Sequence, residues 1–345
     1  MNCNPLTKTF ILILLAGMLL AACSSPTAPA STEQAAPETA PAVTSAPTDL
    51  PEPAATTEPS PTEPPVPSSI SVTDGLDRSI TLNGPAQRIV SLAPSNTEIL
   101  YAIGAGEQVV GRDDFTNYPE EAASLPTIGG SFSGFNNEAI VNLKPDLVLA
   151  AELNTPEQVK ALEDLGLTVY YLSNPIDIEG MYENLMIVAA LTGHEEQAVE
   201  LTESLKERVA AVTEKVSAAP DQPKVFYELD STDPNAPYTA GSGTFIDTLI
   251  TMAGGQNIGR ALKDPYGQLS VEELLVQNPD IILLGDAAYG ATVESVTQRA
   301  GWDQIEAVQN GNIYPFNDDL ASRPGPRLVD ALEELARLIH PELFE

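Results

Sequence analysis

The chain has 345 residues and a formal charge of −33, with 49 acidic side chains against 16 basic ones. That length gives one large or two small domains with real cores, and that charge makes nucleic acid and anionic lipid surfaces poor partners. With only Cys3, Cys23, His194 and His340, a disulfide framework and a zinc or manganese centre built on several His or Cys ligands are excluded.

Residues 1–22 combine Lys8, the apolar run FILILLAGMLL and Ala21-Ala22. They read as a secretory signal, too short for a stable spanning helix. Leu20-Ala21-Ala22-Cys23 resembles a bacterial lipobox. The resemblance implies that Cys23 is lipidated, becomes the mature N-terminus and holds the protein on the outer side of the cell membrane without a transmembrane helix. Residues 23–67 are the lipidated Cys and a tether in which residues 24–67 hold 12 of the 30 prolines and no basic residue. The composition predicts a disordered leash spanning roughly 35 Å as a coil. Removing Lys8 with the signal and setting aside the six tether acids leaves −28 on residues 68–345. Such a body suits a cationic patch on a partner protein.

Residues 68–193 open with a hairpin pattern: Ile70 and Val72, then Asp74-Gly75, then Ile80 and Leu82. RIVSLAPS reads as a strand running into a loop. NTEILYAIG reads as a helix capped by Ser95 or Asn96 and stopped by Gly104 or Gly106. Residues 136–150, NNEAIVNLKPDLVLA, and 270–285, SVEELLVQNPDIILLG, share one layout. In each, an N-cap (Asn136, Ser270) starts a short helix, a proline (Pro145, Pro279) ends it, and an apolar strand follows Asp146 or Asp280. Ser270 and Glu273 have the spacing of a capping box. KVFYELD (224–230), the Gly241-Ser242-Gly243 loop and the helix TFIDTLITMAGG repeat the strand, loop and helix of the first half. The segment from Gly111 to Phe135 is longer than its counterpart.

Residues 194–217 carry Ala198, Leu201, Leu205, Val209, Val212 and Val216 at helical spacing. The fold class expected is α/β: two similar lobes (68–193 and 218–345) with mainly parallel sheets, joined by one long helix, with a ligand cleft between them.

RIVSLAPSNTEILYAIG, NNEAIVNLKPDLVLA, YTAGSGTFIDTLITMAGGQNIG and SRPGPRLVDALEELARLIHPE, in this order, resemble the periplasmic iron-siderophore/cobalamin-binding proteins of ABC importers, over roughly residues 70–345. The resemblance implies a monomeric receptor that binds ligand in the cleft with modest closure and delivers it to a membrane permease and its ATPase. It is nearest the cobalamin-binding branch, and it implies ligand contacts at Phe115, Phe132, Tyr266, Asp319 and Arg323. Flat rings pack on a macrocycle, while Asp and Arg hydrogen-bond its polar arms. The sequence departs from that branch in having Phe132 and Tyr266 where tryptophans stand, Ala151 at a further position, and Trp302 as its single tryptophan. The family's permease-gripping glutamates fall on Glu138 and Glu272. A first-turn acid is also favoured by the helix dipole alone, so recurrence in both halves together with the resemblance carries the docking reading.

Other signals are structural. Gly104 to Gly111 lacks dinucleotide spacing and ends a helix, and Gly241-Ser242-Gly243 is a tight turn with no phosphate-loop lysine after it. His194 and His340 are helix-end residues, and Tyr170-Tyr171 are strand residues. With no nucleophile elbow and no metal cluster, the sequence gives no catalytic residue and no resident cofactor. The transported ligand is expected to be a cobalt corrinoid, with an iron chelate (ferric siderophore or haem) as the alternative within the class. A membrane-tethered enzyme or sensory module is the alternative outside it.

Overall fold

The computed structural model describes residues 69–130 and 133–344; the signal, Cys23, the tether and Phe132 lie outside these residues. The opening hairpin forms as the alternation predicts, strand Ile70–Thr73 pairing antiparallel with Ser79–Leu82 and Ile70 opposite Leu82. Asp74 shapes its turn, its carboxylate accepting the N–H groups of Leu76 and Arg78 at 3.0 Å each.

The first lobe is built on a parallel sheet of four strands, in the order Val109–Arg112, Ile89–Ser91, Leu147–Ala151, Val169–Leu172. The second lobe has six, ordered Tyr266–Gln268, Tyr238–Ala240, Lys224–Asp230, Ile281–Leu284, Ile313–Pro315, with Gln256–Asn257 also against Lys224–Asp230. Its central pairings are parallel, but Tyr238–Ala240 and Tyr266–Gln268 run antiparallel at one edge. Chain length explains the difference. Only residues 231–237 join Lys224–Asp230 to Tyr238–Ala240, and a parallel crossover takes a dozen residues or more.

Each apolar strand serves two cores because alternate side chains leave opposite faces of the sheet. Leu147 and Leu149 join an inner cluster while Val148 and Ala150 join an outer one. In the second lobe Ile281 and Leu283 face inward, and Ile282 and Leu284 pack outward with Phe226 and Trp302. The inner cluster is continuous between lobes. Helix Glu195–Val216 supplies the joint through its buried stripe Ala198, Leu205 and Val212. Its 22 residues make it roughly 33 Å long. Arg208 on this helix donates to Asp330 at 2.6 Å and Glu333 at 2.8 Å on helix Leu328–Ile339. The Arg208 hydrogen bond holds the Glu333 carboxyl below its ordinary range. No helix of the described residues is long and apolar enough to cross a membrane.

Two caps differ from expectation. The first long helix starts at Pro94 rather than after Ser95 or Asn96, with Ala93 as its N-cap. Proline's fixed φ suits the first helical position, and the Asn96 side chain is engaged elsewhere, donating to the Leu149 carbonyl at 3.0 Å. Only half of the expected capping box forms at Ser270. Its hydroxyl accepts the Glu273 N–H at 3.1 Å, but the Glu273 carboxylate takes Gln277 instead.

The duplicated unit has a duplicated geometry. Helices Asn137–Asn142 and Val271–Gln277 both stop before their prolines, with Lys144 and Asn278 in the left-handed region at φ 50° and 47°. Asp146 then accepts the N–H groups of Gln87 and Arg88 at 2.8 and 2.9 Å, and Asp280 accepts that of Lys224 at 2.7 Å. The basic side chain of the same strand start returns to the helix end. Arg88 donates to the Leu143 carbonyl at 2.6 Å and Lys224 to that of Gln277 at 2.9 Å. Each Pro-Asp pair therefore fastens a short helix to the start of a central strand. Asp146→Ala and Asp280→Ala are each expected to lower stability by about 1 kcal/mol, adding almost fully in the double variant because the sites are independent. Urea denaturation measures this, and unchanged midpoints refute the fastening role.

Candidate ligand cleft

The residues that meet between the lobes follow the C-terminal ends of sheet strands, where loops of an open α/β sheet converge. Asp113 follows Val109–Arg112 in the first lobe, and Asn317 to Asp319 follow Ile313–Pro315 in the second. Asp113 is buried, and burial raises its carboxyl above the ordinary range. It nonetheless organises the loop, accepting the Phe115 N–H at 2.8 Å and the Thr116 hydroxyl at 2.5 Å. This turn presents the Phe115 ring half-exposed against Gly130, where a Cβ would fall 2.8 Å from the ring. Only glycine allows that approach.

Glu98, on helix Pro94–Ala102, is the centre of the contact between lobes. Its side chain is 1% exposed. It accepts Arg323 Nη1 at 2.9 Å, Arg327 Nε at 2.8 Å and Arg327 Nη2 at 2.5 Å. Arg323 also donates to Asn117 Oδ1 at 2.7 Å and pairs with Asp319 at 2.7 Å, while Asn117 Nδ2 donates to Asp319 at 2.9 Å. The Arg327 guanidinium lies 4.2 Å from the centre of the Tyr118 ring. Glu98, Asn117 and Tyr118 come from the first lobe; Asp319, Arg323 and Arg327 come from the second. Between this seam and the linker helix lies a cavity of about 820 Å³ whose lining includes Tyr101, Tyr118, Leu201, Leu205 and Arg208.

Three of the residues named from sequence, Phe115, Asp319 and Arg323, thus come together across the lobes. Arg323 Nη2 reaches the Phe115 carbonyl at 3.4 Å. Tyr266, on the edge strand, is near enough to Asp318, the neighbour of Asp319 in sequence, to feel its charge. It is half-exposed, and its hydroxyl is raised by partial burial and then by Asp318 and Tyr238. Asp318, itself raised by burial, accepts the Tyr227 hydroxyl at 2.8 Å. Ala151 is buried at the end of its strand. Glu138 and Glu272 are exposed, one on each lobe, and neither pairs with a cation among the described residues. His194 and His340 sit at helix ends, His340 buried against the Gly254 carbonyl. No group of three or more His, Cys, Asp or Glu among the described residues could hold a metal ion.

Sequence reasoning missed Glu98, Asn117, Tyr118 and Arg327. A signal existed for two of them. Glu98 is a lone acid in an apolar helix, and such a residue is buried only when paired. SRPGPR places two of just 16 basic residues within five positions.

Half-exposed rings flanking a seam of guanidinium, carboxylate and amide groups make a surface for holding a ligand by stacking and hydrogen bonds. Two α/β lobes on a single joining helix, with such a seam between them, define a two-lobed binding protein. Residues 89–320 match the family described as periplasmic binding protein. The chain is 33% identical over 283 residues to the ABC transporter substrate-binding lipoprotein YvrC of Bacillus subtilis, covering 80% of this chain and 87% of that one. It is 32% identical over 281 residues to a cobalamin-binding protein of Halobacterium salinarum, covering 79% and 74%. The solved apo structure of the periplasmic heme-binding protein RhuT from Roseiflexus sp. RS-1 superposes with a TM-score of 0.68 at 28% identity, covering 75% of this chain and 99% of that one. The chain belongs to the periplasmic binding protein family, the substrate-binding components of ABC transporters.

Replacing Glu98 by alanine leaves the largely buried Arg327 guanidinium without its counter-charge and Arg323 with Asp319 alone. The expected loss is about 3 kcal/mol, read from equilibrium denaturation; a loss below about 1 kcal/mol, the scale of an exposed pair, would show that the seam is not a structural contact.

Proposed function

We propose that this chain is the lipid-anchored receptor of an ABC importer and that its cleft captures a corrinoid. The observation that carries the reading is the cross-lobe grouping of Phe115 with Asn117, Asp319 and Arg323, with Tyr266 close to the adjoining Asp318. A corrinoid presents a broad apolar ring to Phe115 and Tyr266, and a rim of amide arms whose N–H and C=O groups suit Asp319, Asn117 and Arg323. Similarity to a cobalamin-binding protein supports the same ligand. Phe132, whose role rests on the family pattern, is proposed as a further ring contact. Cys23 carries the lipid, and the proline-rich tether gives the body reach to the permease.

A second reading, haem, is favoured by one feature. Tyr238 and Tyr266, both half-exposed, stand close together on adjoining strands, and a tyrosine can ligate haem iron. Similarity to RhuT supports it. Absorbance spectroscopy separates the two. Protein incubated with cobinamide or with haemin and then desalted is expected to retain the corrinoid spectrum, with Phe115→Ala weakening retention at least tenfold. Retention of haemin alone, reduced by Tyr266→Phe, establishes the second reading instead.

Glu138 and Glu272 are proposed as the permease-docking groups, since each offers an exposed carboxylate on its own lobe, unpaired among the described residues. Glu138→Arg and Glu272→Arg are expected to abolish uptake while leaving ligand affinity within twofold. Normal uptake by the double variant, or affinity lost in parallel, rules the role out.

A further inference from the structure

The two duplicated helices turn little of themselves to solvent, and what they turn is alike. The exposed residues of Val271–Gln277 are Glu272 and Val276; those of Asn137–Asn142 are Glu138, Val141 and Asn142. Residues three or four apart on a helix are neighbours on one face. Each glutamate therefore stands beside an exposed valine.

Neither valine belongs to a core. Ile140 and Leu274 are fully buried, and Ala139, Val271 and Leu275 pack against the outer clusters of their lobes. Val276, by contrast, is 77% exposed and Val141 38%. Such a position gives a valine no stabilising role within the fold. Its branched side chain loses rotamer freedom in a helix, and lysine, glutamine or alanine would favour the helix more.

One exposed apolar residue is ordinary on any surface. Here the arrangement occurs once per lobe, on the corresponding helix, within about one turn of the glutamate proposed for docking. It does not follow from the duplication itself. Position by position, Val141 corresponds to Leu275 and Val276 to Asn142, so what recurs is the pairing on a face and not a shared residue.

Charge indicates what covers these faces. Glu138 and Glu272 are unpaired among the described residues, and the acidic body calls for a cationic partner surface. An ion pair left in water contributes little. Apolar groups packed around it exclude water and strengthen the attraction.

We propose that Val141 and Val276 are the apolar half of the permease-docking surface. Each packs on apolar side chains bordering a cationic side chain of the membrane permease, and shields the ion pair to Glu138 or Glu272 from water. The role of the valines rests on the docking reading of the glutamates and adds an apolar component to the charged one on each lobe.

Binding of the full chain to the importer's permease and ATPase complex in nanodiscs tests it, at low and at high salt. Val276→Ser is expected to weaken binding at least fivefold and the less exposed Val141→Ser at least twofold, at both salt concentrations. Retention of cobinamide or haemin stays unchanged in both. Salt weakens the native chain and the serine variants alike, because screening acts on charges that the valines do not carry. Native affinity in the Val141→Ser/Val276→Ser double variant, while Glu138→Arg/Glu272→Arg abolishes binding, overturns the inference and leaves the docking reading standing. Native affinity in the glutamate double variant overturns that reading, and the role of the valines with it. If a serine variant fails to fold, the threonine variant at that position, which keeps the branched shape and replaces one methyl by a hydroxyl, decides by the same criterion.

Discussion

One carboxylate, Glu98, holds two guanidiniums from the opposite lobe, and the arrangement of the cleft follows from it. A charge this deeply buried is tolerated only when paired and hydrogen-bonded. Separating the lobes at this point would strand Glu98 on one side and Arg323 and Arg327 on the other. The seam thus acts in concert with the linker helix, whose buried stripe merges the inner cores of both lobes. Phe115, Asn117 and Asp319 occupy fixed places on the two walls because this contact fixes the walls.

The scaffold is symmetric in its logic, and the site is not. Both lobes use the same fastening: a left-handed residue, a proline, and an aspartate that receives the start of the neighbouring strand. What differs is what each lobe adds. The first lobe's longer segment from Gly111 to Phe135 carries Phe115 and Asn117. The second lobe's antiparallel edge carries Tyr266. The repeated parts build the sheets, and the unequal additions supply the groups that face the cleft.

Charge scarcity shapes the rest. With 16 basic residues against 49 acids, many arginines are committed to ion pairs within the chain: Arg78 to Asp74, Arg208 to Asp330 and Glu333, Arg260 to Asp247, Arg299 to Glu228. Such pairs organise the molecule, while the acids left over dominate its surface. Glu138 and Glu272 are two of these surplus acids, distinguished by where the repeat puts them.

The sequence by itself determined the strands, the two-fold repeat and the long helix, because these rest on local patterns. Apolar runs such as LVLA and IILL can only be buried on both faces, glycines and prolines punctuate the helices, and a seven-residue apolar recurrence marks the linker stripe. It also pointed to Phe115, Asp319 and Arg323 through the family pattern. Tertiary structure decided what no local pattern encodes. Helix Pro94–Ala102 lost its expected cap because Asn96 was needed by a strand 53 residues away, and Glu273 took Gln277 instead of closing its box. Glu98 found Arg323 and Arg327 more than 220 residues along the chain. Pairings of that kind follow from how the lobes meet, and a charged side chain in a sequence does not say which distant opposite charge will share its burial.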